Sequence, residues 1–191
     1  MRCGRYMKIA FAGSHGAGKT TLLNDLKPFL APKGFSYVTE VARHIIQRGY
    51  PLNMDANVDS YIHYINDQLN AEKAMSNGSI FISDRTLLDP LAYALVNREL
   101  PRPYIPDYFI EMMENVWLLE KERYDIYIYF PIEFPMQIDN VRPDDEAYRR
   151  IVGDKMVELL AKHNVPYVIV SGTPKARIHH LLTMIEQYGS K

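Results

Sequence analysis

The sequence predicts an α/β protein with a five-stranded parallel sheet flanked by helices, and three observations predict it. Short apolar runs rich in β-branched and aromatic residues alternate with longer segments whose apolar residues recur three or four apart. A glycine-rich loop lies between the first strand and the first helix, and acidic residues close the second and third strands. Such alternation gives right-handed crossovers, helices on both faces, and functional residues at the carboxyl ends of the strands.

Met7–Gly13 (MKIAFAG) reads as a short apolar strand, and Lys19–Ala31 as a helix with leucines at helical spacing. Phe35–Glu40 is a second strand leading into helical Val41–Arg48, which Gly49, Tyr50 and Pro51 stop. From Asp55 to Ser76, Val58, Ile62, Ile65 and Leu69 mark an amphipathic helix, ended by Asn77 and Gly78. Ser79–Ser83 (SIFIS) is a third strand that delivers Asp84 and Arg85 at its carboxyl end. Thr86 caps the next helix, Leu87–Arg98, with Pro90 in its first turn, where a missing N–H does no harm. Three prolines between Leu100 and Pro106 exclude regular structure there. Asp107–Arg123 is helical and Tyr124–Phe130 a fourth strand. Pro131 and Pro135 then break the chain before a charged stretch, Asp139–Arg150, that merges with a helix ending near His163. Val165–Val170 is the fifth strand, and Thr173 with Pro174 starts a terminal helix to Tyr188.

Composition narrows the classes. Of 191 residues 47% are hydrophobic and 24% charged, which suits a single soluble domain over residues 1–191 and excludes disorder as the dominant state. Lys and Arg total 22 against 23 Asp and Glu, a net charge of −1. That balance argues against a protein that coats nucleic acid, although a local basic cleft can hide within it. No apolar run approaches the roughly 18 residues of a membrane span. Met1–Tyr6 lacks a cleavable-signal pattern, so the expected location is cytoplasmic and no membrane partner is expected. Cys3 is the only cysteine, which excludes an intrachain disulfide and a cysteine-built metal site.

Gly13-Ser14-His15-Gly16-Ala17-Gly18-Lys19-Thr20 matches G-x-x-x-x-G-K-[ST] at every fixed position, between a strand and a helix as that motif requires. Its glycines let successive N–H groups turn toward phosphate oxygens, with the positive end of the helix dipole behind them. Lys19 would reach the β and γ phosphates and the Thr20 hydroxyl would hold Mg²⁺, with Thr21 next in the helix. His15 occupies an unconstrained position of the loop. The motif implies a bound nucleoside triphosphate, and the absence of a small-GTPase base-reading motif makes ATP the expected donor.

Two acids end strands in this sheet, Glu40 and Asp84, each followed by an arginine, Arg43 or Arg85. Both acids would face the crevice that holds the phosphate loop, where a metal partner or a base is needed. The arginines would grip phosphate or neutralise charge developing on the transferred group. The bland alternative is that Glu40 caps the following helix and Arg43 lies on its solvated face.

Together these segments resemble the P-loop nucleoside and nucleotide kinases, most closely the ribosylnicotinamide-kinase-like ATPase domains and more loosely the thymidylate and deoxynucleoside kinases. The resemblance runs from Met7 to about Gly172. It implies a three-layer P-loop NTPase fold with a short lid, here about 136–150, whose arginines (Arg142, Arg149 or Arg150) close over the phosphates; local pairing with Asp144, Asp145 and Glu146 is the alternative. For Glu40 it implies acceptor contact and removal of the acceptor proton; for Asp84, metal or acceptor contact; for Arg85, phosphate contact. Which acid is the base stays open. The helix after the second strand would help form the acceptor pocket, offering Tyr61, Tyr64 and Gln68 alongside Glu40, Arg43 and Arg85. Gly172-Thr173-Pro174 resembles the loop that touches adenine in these kinases.

The expected function is therefore an ATP- and Mg²⁺-dependent phosphotransferase acting on a small nucleoside or nucleotide. Its catalytic groups would be Lys19, Glu40, Asp84, Arg85 and Arg142, with Thr20 and Asp84 at the metal. Two alternatives remain: a DNA kinase acting on hydroxymethylated pyrimidines, and an NTP-hydrolysing regulatory switch. Oligomeric state is open, with a homodimer compatible.

Overall fold

The central strand, β1 (Lys8–Ala12), is flanked on both sides, and the sheet order is β2-β3-β1-β4-β5 with every pairing parallel. Its other strands are β2 (Phe35–Val38), β3 (Ile80–Ser83), β4 (Ile126–Tyr129) and β5 (Tyr167–Ile169). This computed structural model describes residues 7–75, 80–101, 103–134 and 146–189. Cys3, the expected helix stop at Asn77 and Gly78, and most of the lid, Arg142 included, lie outside the described residues. The connection from β1 to β2 leaves room for β3 between them, while β4 joins the opposite side of β1. The reversal at β1 opens a crevice at its carboxyl end, where ligands of open α/β sheets bind.

Alternation along β1 divides the core in two. Ile9 and Phe11 pack with Leu22, Leu23 and Leu26 of α1 (Lys19–Leu30) and Leu181 and Ile185 of α7 (Pro174–Gly189). Ala10 and Ala12 face the opposite side, where their small side chains sit beneath α4 (Leu88–Arg98), α5 (Asp107–Glu120) and α6 (Glu146–Lys162). Helix α4 is buried nearly all round, packed against both α5 and α6. Its start is fixed as Thr86 leads one to expect: Thr86 Oγ1 accepts from the Leu88 N–H, and Asp89 Oδ2 accepts from the Thr86 N–H, a reciprocal box. Pro90 lies in that first turn. The result is an α/β P-loop NTPase fold, with seven α-helices among the described residues.

Two helices complete the site side of the molecule: α2 (Val41–Gln47) and α3 (Val58–Met75). The apolar stripe of α3 is not its buried face. Its buried residues are Ser60, Tyr61, Tyr64, Gln68 and Glu72, whereas Ile62 is 48% exposed and Ile65 and Leu69 only skirt the core. The helix turns its polar and aromatic line inward because hydrogen-bond partners on β3 and α4 await it there.

Candidate active site

The phosphate loop curls after β1 with Gly13 at φ 149° and Gly16 at φ 71°. A Cβ on Gly13 would stand 2.7 Å from the Phe130 carbonyl oxygen, so only glycine lets the loop leave the sheet here. Lys19 is buried, its Nζ donating to the Gly13 and Ser14 carbonyls at 2.5 and 3.0 Å. These bonds hold the ammonium against the loop. Thr20 is exposed and donates its hydroxyl to Asp84 Oδ2 at 2.5 Å, while Thr21 is exposed on α1. The carboxyl end of β3 thus meets the loop directly.

Two buried arginines grip the loop from opposite sides. Arg149, in the first turn of α6 and 1% exposed, donates Nε to the His15 carbonyl at 3.0 Å, and its guanidinium lies over Gly16, where a Cβ would come within 3.0 Å of Nη2. Arg150 instead pairs with Glu146 and faces solvent. Arg177 of α7, also 1% exposed, donates Nη1 to the Ala17 carbonyl, Nε to the Gly172 carbonyl, and Nη2 to Glu133 at 2.6 Å. Its guanidinium stacks on Phe134, 4.8 Å from the ring centroid. Glu133 also accepts from the Gly172 N–H, and Arg177 holds its carboxyl below the usual carboxylate range. Arg177 therefore ties the phosphate loop to the chain after β4 and after β5, the neighbourhood of Gly172-Thr173-Pro174. The sequence reading missed it, because a residue 160 positions from its partner carries no local signal.

Beside the loop opens a cavity of about 350 Å³. His15 forms its phosphate-side wall, Arg43, Ile46 and Gln47 of α2 one flank, and Tyr61 and Tyr64 of α3 another. Arg85, Asp89 and Tyr93 also line it, as do Leu52, Asn53 and Ala56. His15 is clamped there, since the Tyr93 hydroxyl accepts its backbone N–H at 3.0 Å and meets Nδ1 at 2.8 Å. Arg85 Nη1 pairs with Asp89 Oδ1 at 3.1 Å. Burial opposes the Arg85 charge more than any single neighbour favours it, but Asp89, Tyr64, Tyr93 and Asp84 together outweigh it and raise the guanidinium pKa. Burial likewise pushes the Asp89 carboxyl above its ordinary value, against the pull of Arg85 and Lys19.

The residues expected at the acceptor sort into three kinds. Arg43, Tyr61, Tyr64 and Arg85 line the cavity. Tyr61 accepts from Asn97 Nδ2, whereas the buried Tyr64 hydroxyl has no hydrogen-bond partner among the described residues. Glu40 is held at the rim by Arg43 Nη1 at 2.9 Å and is outside the lining. It occupies the N-cap position of α2 at φ 67° without capping through its side chain. Gln68 also lies outside the lining, its amide turned to Glu72, Ser83 and the Arg85 carbonyl.

Ser14 Oγ, Asp84 Oδ1 and Arg149 Nη2 are buried at the cradle without a hydrogen-bond partner among the described residues. Leaving such groups unsatisfied costs about 1–3 kcal/mol each, so the arrangement is made for a ligand. A phosphate chain would answer Ser14 and Arg149. A divalent cation would answer Asp84 beside Thr20, and Mg²⁺ is content with one or two protein oxygens when phosphates and water supply the rest.

Sheet order, glycine cradle and strand-end acid together define a P-loop nucleotide-binding protein. More particularly, the chain belongs to the AAA domain family (AAA_28), whose family model matches residues 8–177. It is similar to thymidylate kinase of Geobacillus thermodenitrificans (strain NG80-2), 26% identical over 175 residues, which cover 82% of this chain and 72% of that relative. Among solved structures, NadR protein in complex with NAD and AMP-PNP has a TM-score of 0.72 and 20% identity over 97% of this chain. This chain spans only 50% of that NadR chain. Deoxyadenosine kinase from M. mycoides has a TM-score of 0.65 and 19% identity, covering 95% of this chain and 100% of its own. The fold is thus the one shared by these kinases. No helix among the described residues is long and apolar enough to cross a membrane.

Proposed function

We propose that the protein is an ATP- and Mg²⁺-dependent phosphotransferase that phosphorylates a small nucleoside or nucleotide. One observation carries the reading: the 350 Å³ cavity shares a wall, His15, with the phosphate loop, so a second small molecule has a place beside the terminal phosphate of the first. Its tyrosines suit a ring and its arginines a sugar or phosphate oxygen. Supporting it, the family match includes the whole phosphate loop, and the NadR structure was solved in complex with NAD and AMP-PNP.

In this reading the backbone amides of Gly13–Thr20 hold the phosphates, and Lys19 leaves the Gly13 and Ser14 carbonyls to meet them. Thr20 and Asp84 hold Mg²⁺, which when bound neutralises charge on the phosphate chain. Arg149 faces the transferred group from the lid helix. Arg85, anchored by Asp89, steadies the acceptor oxygen. With Asp84 assigned beside Thr20 to the metal, Glu40, the other strand-end carboxylate, would take the proton of a hydroxyl acceptor, and Arg43 orients it.

Closure of the lid segment would exclude water and direct the phosphoryl group to the acceptor. A cavity of this size favours a small acceptor over a polymer, and its presence gives a switch protein nothing to do with Tyr64 or Arg43. The test is radiolabelled ATP offered with nucleosides, nucleoside monophosphates, ribosylnicotinamide and hydroxymethylated DNA. The expected outcome is label on one small acceptor, lost in a folded Lys19→Ala protein; slow hydrolysis indifferent to every acceptor would refute the reading.

A further inference from the structure

Arg85 holds φ 133°, a backbone conformation that residues with side chains avoid. Strain of this kind persists only where the surroundings over-determine it. The surroundings are two fully buried side chains on one side of the turn. Gln68 Nε2 donates to the Arg85 carbonyl at 3.0 Å, and Ser83 Oγ donates to the same oxygen at 2.6 Å. Gln68 is fixed in turn: Nε2 lies 2.7 Å from Glu72 Oε1, which accepts the Tyr124 hydroxyl at 2.5 Å, and Tyr124 is itself buried.

The other side of the turn is pinned as well. The Asp84 N–H donates to the Val38 carbonyl at 2.9 Å, and the Thr86 N–H to Asp89 at 2.9 Å. What the pinned turn achieves is a division of labour between neighbours. The Asp84 carboxylate goes to Thr20 on the phosphate loop, and the Arg85 guanidinium to Asp89 in the cavity wall.

We propose that Gln68 is a positioning residue, whose buried amide holds the strained Arg85 peptide so that Asp84 serves the phosphate loop while Arg85 serves the acceptor cavity. What Asp84 and Arg85 then do rests on the function proposed above; their placement does not. The position calls for an amide. A carbonyl oxygen is stabilised by a donor, so a glutamate here would set its carboxylate against both that oxygen and Glu72. Methionine would keep the shape and lose the donor. Gln68 lies outside the cavity lining and acts through its neighbours.

The test uses the full chain with Gln68→Met, Gln68→Glu and Ser83→Ala, read by transfer kinetics and by Mn²⁺ affinity. The latter is measured by electron paramagnetic resonance with a non-hydrolysable ATP analogue present. For Gln68→Met we expect kcat to fall at least tenfold with KM for ATP within threefold of wild type, and Mn²⁺ affinity to weaken at least fivefold. Gln68→Glu should be as impaired, and Ser83→Ala should shift both readouts the same way by less. Loss of packing alone would lower the melting temperature and leave metal affinity per folded molecule intact, so Gln68→Met with Mn²⁺ affinity and kcat within twofold of wild type overturns the proposal. If Gln68→Met does not fold, Ser83→Ala decides, because it removes the other donor to the same oxygen; unchanged metal affinity there overturns the proposal equally. A wild-type protein that phosphorylates nothing would fail the kinase reading, and the Mn²⁺ titration of the variants would still uphold or overturn the role of Gln68.

Discussion

Replacing Arg149 with methionine isolates the contribution of one guanidinium at the phosphate loop. In the folded protein this group is 1% exposed, bonded through Nε to the His15 carbonyl at 3.0 Å, with Nη2 lacking a partner among the described residues. The charge-assisted bond contributes about 1.5–3 kcal/mol. Against it stands the desolvation of a buried cation, several kcal/mol in its own right and only partly repaid by one carbonyl. These nearly cancel, so Arg149→Met should change stability by no more than about 1 kcal/mol. Activity is another matter. A preorganised cation that meets the phosphoryl oxygens in the transition state is worth about 2.7–4 kcal/mol, or roughly 10²–10³ in kcat. The assay is steady-state phosphoryl transfer alongside a thermal melt, with Arg150→Met as the comparison. Arg150 is exposed and, among the described residues, paired with Glu146, so its variant should stay within twofold of wild type. A kcat for Arg149→Met within threefold of wild type would refute the reasoning, and so would equal losses in the two variants.

Gly13→Ala forces a Cβ to 2.7 Å from the Phe130 carbonyl at φ 149°, and should lower stability by about 2 kcal/mol or more and abolish ATP binding, read by denaturant melts and calorimetry. Arg177→Met leaves the Ala17 and Gly172 carbonyls without their donor while water takes over the part-exposed Glu133 carboxylate, so it should destabilise by about 1–3 kcal/mol and raise KM for ATP; a melt within 1 °C of wild type would contradict this. Glu72→Gln should show a pH signature. Burial pushes the Glu72 carboxyl above the ordinary glutamate value of 4.5. With the folded pKa the higher one, stability is whole below the unfolded value and lost as pH rises through the folded value. The glutamine variant should therefore gain on wild type between about pH 4.5 and neutrality, by about 1.4 kcal/mol for each pK unit of the shift. Urea midpoints across that range test it, and a difference independent of pH would be inconsistent with the shift.

Much of this site was legible because its signals are local. The cradle from Gly13 to Thr20 is contiguous, and Asp84 and Arg85 follow directly on an apolar strand, so parallel alternation alone brings them to the same edge. What escaped the sequence is what depends on helix phase or distance. Arg149 and Arg150 are adjacent and chemically identical, and only the rotation of α6 sends one to the loop and the other to water. Of the stripe Val58, Ile62, Ile65 and Leu69, only Ile62 turns out to solvent and the other three lie at the edge of the core, because apolar periodicity says nothing of a partner surface that offers Ser83, Asn97 and Tyr124 for hydrogen bonds. Gln68 looked like a ligand contact for the same reason. Asp89 and Tyr93 lie within a helix to which the sequence pattern gives no site role; both are buried, yet both line the cavity.

Phosphorus NMR of ATP, Mg²⁺, wild-type protein and the acceptor panel in one tube asks the deciding question, since it resolves where the γ-phosphorus goes. The account requires its signal to reappear as a phosphoester or diphosphate on a small acceptor, with little inorganic phosphate. Inorganic phosphate alone, formed at a rate no acceptor alters, would show that the cavity beside His15 does not hold a partner for the reaction.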